Sequence, residues 1–161
     1  MILQKLLKRF CNFLKTQTNN FMRFPYIPSP AHKGQGVLMP FLPLTLNHNA
    51  HSIKTHAMLD TGSMVNVLPF SIGISLGLSW ESQSVPVELG GNLKAYEAYG
   101  ILINATIESY PTVRLAFAWT QADNIPLLLG QTNIFMEFDV LFSRSASFFD
   151  IYPKGKALGN M

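Results

Sequence analysis

An aspartate closes the apolar run Ala57-Met58-Leu59, within the stretch AMLDTGSMVNVLP at 57–69. A carboxylate at the end of a burying strand has to be solvated, paired or used. Thr61 and Gly62 follow at once. Glycine lets the backbone turn sharply and lets another group come close. Thr61 and Ser63 have hydroxyls that can bond the backbone and stiffen the loop. Two readings stand at this point. Asp60 begins an ordinary turn, since Asp-x-Gly is common there, or it is held by a rigid loop at the floor of a cleft.

The surroundings of Asp60 read as strands. Ten prolines and eleven glycines punctuate the 161 residues, which favours a β-rich chain with many turns. VLMPFLPLTLN has apolar residues at 42, 44 and 46, a period of two. SIKTHAML runs into the Asp60 loop, and VNVLPFSIGISLGL fits a short strand and a helical turn. ILINATI, TVRLAFAW, IPLLLG and ASFFDIY, rich in Ile, Val, Phe and Tyr, are further strand candidates. SVPVELGGNLKAYEAYG predicts two extended arms around Gly90 and Gly91, a hairpin signal. GQTNIFMEF predicts the one well-defined helix, after Gly130 and before Asp139.

Charge divides the chain. Residues 1–59 hold seven Lys/Arg and no acid; residues 60–161 hold five Lys/Arg and nine acids, a net of −4, which gives +3 for the whole. Apolar side chains at 2, 3, 6, 7, 10, 13 and 14, with basic residues between them, predict an amphipathic helix over 1–15. It fits a peripheral membrane contact through anionic lipid, or a helix packed on the domain or on a second subunit. Charges at 5, 8, 9 and 15 interrupt any secretory signal, so none is expected. No stretch reaches the roughly 20 apolar residues that span a bilayer. The expected location is cytoplasmic, with membrane association resting on that helix. Residues 16–36, with three prolines and no stable period, predict a linker, and 154–161 a tail. The lone Cys11 excludes an internal disulfide.

LDTGS between apolar flanks resembles the active-site loop of the aspartic proteases. NIPLLLG at 124–130 is similar to the apolar-apolar-glycine segment of that family, here Leu128, Leu129 and Gly130. The order of loop, hairpin, strand pair, apolar-glycine segment, helix and last strand is similar to that of the single-domain retropepsins, over 37–153. The resemblance implies a mainly β, single-domain retropepsin-like acid protease fold with one short C-terminal helix, in addition to the N-terminal amphipathic helix. It implies that Asp60 is catalytic, that Thr61, Gly62 and Ser63 form the active-site loop, and that the hairpin at Gly90 and Gly91 is a flap over substrate. Val65, Ile125 and Leu127 would then give the cleft an apolar lining. Viral members often place an acid four residues after the aspartate, paired with an arginine after the apolar-glycine motif. Met64 and Gln131 stand at those positions, so both partners of the pair are absent together.

The chain has one Asp-Thr-Gly and no Asp-Ser-Gly. A lone carboxylate cannot do this chemistry, so an enzyme of this kind has to be a C2 homodimer acting on an extended peptide or protein. The chemistry requires no metal and no organic cofactor. The alternative is a weak or inactive retropepsin-fold module for dimerisation or peptide binding. His48, His51 and His56 do not suggest a metal site, because residues 48 and 56 share one face of a strand and 51 takes the other. Asn104-Ala105-Thr106 fits a glycosylation sequon but reads as strand. The few basic residues of the leader belong to no recognised nucleic-acid module, so no nucleic acid is expected.

Overall fold

The computed structural model describes residues 21–29 and 36–154. The helix expected over 1–15 lies outside the described residues, as does all of the expected tail after Lys154. Within the described residues the chain is mainly β, and no helix there is long and apolar enough to cross a membrane.

The centre is a closed barrel. β4 (Phe41–His48) and β5 (His51–Leu59) form a hairpin in which His48 opposes His51. Its turn is Asn49-Ala50, and Asn49 takes a left-handed φ of 51°, a conformation asparagine tolerates better than most residues. Leu42, Leu44 and Leu46 of β4 all point inward and are buried, as their period of two predicts. β6 (Asn66–Leu68) follows the Asp60 loop. β7 (Ala98–Thr106) and β8 (Val113–Thr120) pair antiparallel over eight residue pairs. The two-residue β9 (Leu128–Leu129) closes the circle, so that the order is β4-β5-β9-β6-β8-β7. The barrel interior holds Leu42, Leu46, Ala57, Leu115, Trp119 and Leu129, each fully buried. Burying such side chains is worth about 1.5–3 kcal/mol each for the larger ones, which is what holds the barrel shut.

The range expected as a linker contributes strands. β1 (Met22–Pro25) pairs with β11 (Phe148–Pro153), which pairs in turn with β10 (Phe138–Ser143) in a separate three-stranded sheet. β2 (Ile27–Pro28) pairs with β3 (Leu38–Met39). Proline content argued for a linker, but Pro25 and Pro28 fall at the strand ends, where a missing N–H is tolerated. Arg23 forks onto Asp150, with Nε donating to Oδ1 at 2.7 Å and an Nη donating to Oδ2 at 2.9 Å. Its guanidinium also lies 3.7 Å from the centre of the Phe148 ring. The bond to Asp150 is the main reason the guanidinium holds its proton beyond its ordinary range.

The helix expected between Gly130 and Asp139 shrinks to one turn, α2 (Ile134–Glu137); α1 (Phe70–Ser75) is the helical turn read in VNVLPFSIGISLGL. The apolar positions of IFMEF satisfy a helix and a strand equally, and the chain turns extended at Phe138, whose φ and ψ are −136° and 138°. β10 then begins where the expected helix ends.

Candidate active site

Asp60 sits at the C-terminal end of β5, half-buried, with Thr61 and Gly62 exposed beyond it. Its carboxylate Oδ1 accepts the N–H of Gly62 at 2.9 Å, and its carbonyl accepts the N–H of Ser63 at 3.2 Å. The turn is therefore closed by the aspartate itself. Ser63 Oγ donates to the carbonyl of Val65 at 2.7 Å.

The apolar-glycine segment is laced into this loop. β9 runs parallel to β5, with Met58 opposite Leu128 and Leu59 opposite Leu129. It also contacts β6 antiparallel, with Val67 opposite Leu128. Asp60 N–H donates to Leu129 O at 2.9 Å, and Gln131 N–H donates to Ser63 O at 2.8 Å. Between these two bonds lies Gly130. A β-carbon there would stand 2.5 Å from Val65 O and 2.7 Å from Ser63 O, both backbone atoms. Only glycine fits such an approach. The neutral Gln131 side chain donates to Thr61 O at 2.8 Å, and Thr132 N–H donates to Met64 O at 2.8 Å. Uncharged bonds thus tie down the loop where a charged pair is absent.

Asn66 escaped the sequence reading. Its side chain is fully buried; Nδ2 donates to Ala116 O at 2.9 Å and Oδ1 accepts Gly130 N–H at 2.8 Å. The signal was present, because an asparagine between Val65 and Val67 is a polar group in a burying strand. Asn133 also escaped. It has a φ of 88° and accepts Ala116 N–H on its Oδ1 at 2.6 Å.

The arms at 85–100 join through Val87 N–H to Ala98 O (2.9 Å) and Gly100 N–H to Val85 O (2.8 Å), with Pro86 bridged to Tyr99. The pairing is brief, and the end of the hairpin is a 3₁₀ turn over Gly91–Leu93. Gly90 and Gly91 are exposed there, and a β-carbon on either would meet nothing within 4 Å. Leu89 folds inward and packs in a small apolar cluster with Val67, Ala98 and Ala118, against which Val65, Ile125 and Leu128 also lie. The structure therefore brings Asp60–Ser63 together with Leu128–Gly130 and leaves Gly90 and Gly91 at the outer end of the hairpin. Leu127 is buried in the main core, whereas Ile125 is half-buried and packs with Val65 against the small cluster.

His48 Nδ1 lies 3.2 Å from Leu76 O, and His51 packs against Gly77. Among the described residues no group of three His, Cys, Asp or Glu gathers as for a metal ion. A cavity of about 540 Å³ opens between β5 and α1, lined by Phe41, His56, Ile72 and Asp123 among others, and none of Asp60–Ser63 borders it.

A barrel whose Asp-Thr-Gly loop is threaded by an apolar-apolar-glycine strand defines the retropepsin-like fold, and the chain has that fold. It is similar to a retropepsin-like aspartic protease from Rickettsia conorii, with a TM-score of 0.59 and 15% identity over 82% of this chain and 92% of the other. It also aligns with the EIAV protease in complex with the inhibitor HBY-793, with a TM-score of 0.42 and 16% identity over 62% of this chain and 86% of that one. No protein-family model matches the sequence, and no curated protein matches it.

Proposed function

We propose that the chain is an aspartic endopeptidase that works as a homodimer, with one Asp60 from each copy. The observation that supports this most directly is the fixed Asp60 loop, closed by Gly62 N–H and held from below by Leu129 O and Gln131 N–H. Such a loop presents one carboxylate only, and the sequence has a single Asp-Thr-Gly.

Two carboxylates brought within a few ångströms cannot both ionise readily, so they share a proton and titrate as a pair. The ionised one takes a proton from a water held between them while the water oxygen attacks the peptide carbonyl carbon. The protonated one gives its proton to the carbonyl oxygen, which completes a tetrahedral diol. On collapse one diol hydroxyl returns a proton to that carboxylate, the C–N bond breaks, and the other carboxyl passes the proton it took from water to the amine nitrogen. Thr61 bonds across the twofold axis, and Gly62 offers its backbone to an extended substrate. The hairpin bearing Gly90 and Gly91 closes over that substrate, which binds as an added strand. Val65, Ile125 and Leu128 favour apolar substrate side chains beside the scissile bond.

The test compares wild type with Asp60→Asn on an unstructured protein across pH 3–8, alongside sedimentation. Cleavage by wild type alone, from a dimeric species, is expected. Equal inertness of the two proteins, or cleavage by a strict monomer, overturns the proposal.

A further inference from the structure

Asn66 joins three strands at one point. It belongs to β6, its Nδ2 holds the carbonyl of Ala116 in β8 at 2.9 Å, and its Oδ1 holds the N–H of Gly130 just after β9 at 2.8 Å. Both of its polar ends are satisfied, and the side chain is completely buried. An amide donates in one direction and accepts in the other without charge, whatever the pH. The oxygen has to face the Gly130 N–H and the nitrogen the Ala116 carbonyl, so the partners fix its orientation.

The position of Gly130 decides the position of the Asp60 loop. The residue before Gly130 accepts Asp60 N–H at 2.9 Å, and the residue after it donates to Ser63 O at 2.8 Å. Gly130 itself passes within contact of the Ser63 and Val65 carbonyls. A shift of Gly130 therefore moves both ends of the loop that carries the carboxylate. Ala116 is held from its other side by Asn133, whose Oδ1 accepts its N–H at 2.6 Å. The anchor that Asn66 grips is thus itself fixed.

We infer that Asn66 is the positioning residue of this site: it sets the height of Gly130 and, through it, the placement of the Asp60 carboxylate. The inference rests on the proposed chemistry only for its kinetic consequence. Its structural part is read from the amides of Gly62, which reports the Asp60 carboxylate, and Gly130.

The experiment uses the full chain with Asn66→Leu and Asn66→Asp. In Asn66→Leu both bonds are lost; the Gly62 and Gly130 amide resonances move, and Gly130 amide exchange accelerates. Turnover drops by about 100-fold with KM nearly unchanged, the scale that an ångström of misplacement costs. A residue that served stability alone would lower activity only in proportion to the folded, dimeric fraction. Asn66→Asp keeps the shape. Protonated, its O–H donates to Ala116 O while its carbonyl accepts Gly130 N–H; ionised, it sets an acceptor against an acceptor. The variant is therefore close to wild type in acid, and its Gly62 amide departs from the wild-type position as pH rises. That comparison decides the matter even if Asn66→Leu does not fold. A folded Asn66→Leu with unmoved Gly62 and Gly130 amides, or an Asn66→Asp whose Gly62 amide follows wild type at every pH, overturns the inference. If wild type cleaves nothing, the proposed function fails, and the amide measurements still decide the role of Asn66.

Discussion

Gly130 runs beneath Val65 so closely that a β-carbon on it would lie 2.5 Å from the Val65 carbonyl oxygen. The Val65 oxygen is a backbone atom held by Ser63 Oγ, and the Gly130 backbone is held through its N–H by Asn66, so neither yields as a flexible side chain does. Gly130→Ala is expected to cost about 1–3 kcal/mol or more through overpacking. At this chain length that lowers Tm by about 2–4 °C per kcal/mol. Gly90→Ala is the control, because a β-carbon there meets open space. Thermal melts of the two variants check this, and equal melting temperatures would contradict the crossing described.

Arg23 fastens β1 to the buried carboxylate of Asp150, which is 2% exposed. Arg23→Ala removes the fork and leaves that carboxylate without its partner. The expected outcome is fast amide exchange along β1 while the barrel strands β4 to β9 keep their protection. Arg23→Lys is expected to restore little, because an ammonium cannot grip both carboxylate oxygens or lie flat on the Phe148 ring as guanidinium does. Hydrogen exchange resolved by residue checks both variants. Retained β1 protection in Arg23→Ala would show that apolar contacts alone hold the strand.

Tyr110 donates its hydroxyl to Ile151 O at 2.8 Å, joining the β7–β8 connection to β11. Burial pushes its phenol above the ordinary value of 10.0. The folded chain then keeps the proton at a pH where the unfolded chain releases it, so the unfolded state binds fewer protons. Stability from this group is complete below about pH 10 and is lost as pH rises above it. Tyr26, raised by burial against the pull of Arg144, adds to the same alkaline loss. Tyr110→Phe should be less stable at neutral pH by about 0.5–1.5 kcal/mol, the worth of one hydrogen bond. It should also lose less stability than wild type between pH 9 and 11. Denaturant melts at several pH values measure both effects.

The barrel strands were legible because their burial has a simple period. Leu42, Leu44 and Leu46 alternate inward, and TVRLAFAW supplies β8 almost entire. The Asp60 loop and the Leu128–Gly130 segment were legible as motifs, and their contact follows from the two strands lying side by side. β1 was not legible, since its pairing depends on β11, which is remote in sequence, and on the long-range Arg23–Asp150 bond. The α2–β10 boundary was misread because IFMEF suits either structure until tertiary pairing with β11 decides it. Asn66 shows the limit most clearly. Its sequence marks it as a misplaced polar residue, but its partners, Ala116 O and Gly130 N–H, appear only once three strands meet.

Met64 is 70% exposed four residues after Asp60, beside a loop whose proposed twin must approach it. Four residues reach at most about 14 Å, so in the proposed dimer each Met64 would lie no farther than about that from its own Asp60 near the twofold axis. Gln131, which holds Thr61 O, brings no charge to the same place. If the exposed Met64 surface is buried between copies, that apolar contact is not weakened by salt, whereas one held by ion pairs is screened. The dimer Kd should therefore stay level or fall as salt is raised. Met64→Lys places like charges near the axis and should raise Kd about 10-fold or more, each tenfold being about 1.4 kcal/mol. High salt should recover part of that loss. Leu102→Lys, on β7 and 51% exposed, carries the same charge away from the Asp60 loop and should leave Kd unchanged. Sedimentation equilibrium on the three proteins at low and high salt decides it. Equal weakening by both lysines would move the second copy off the Met64 surface.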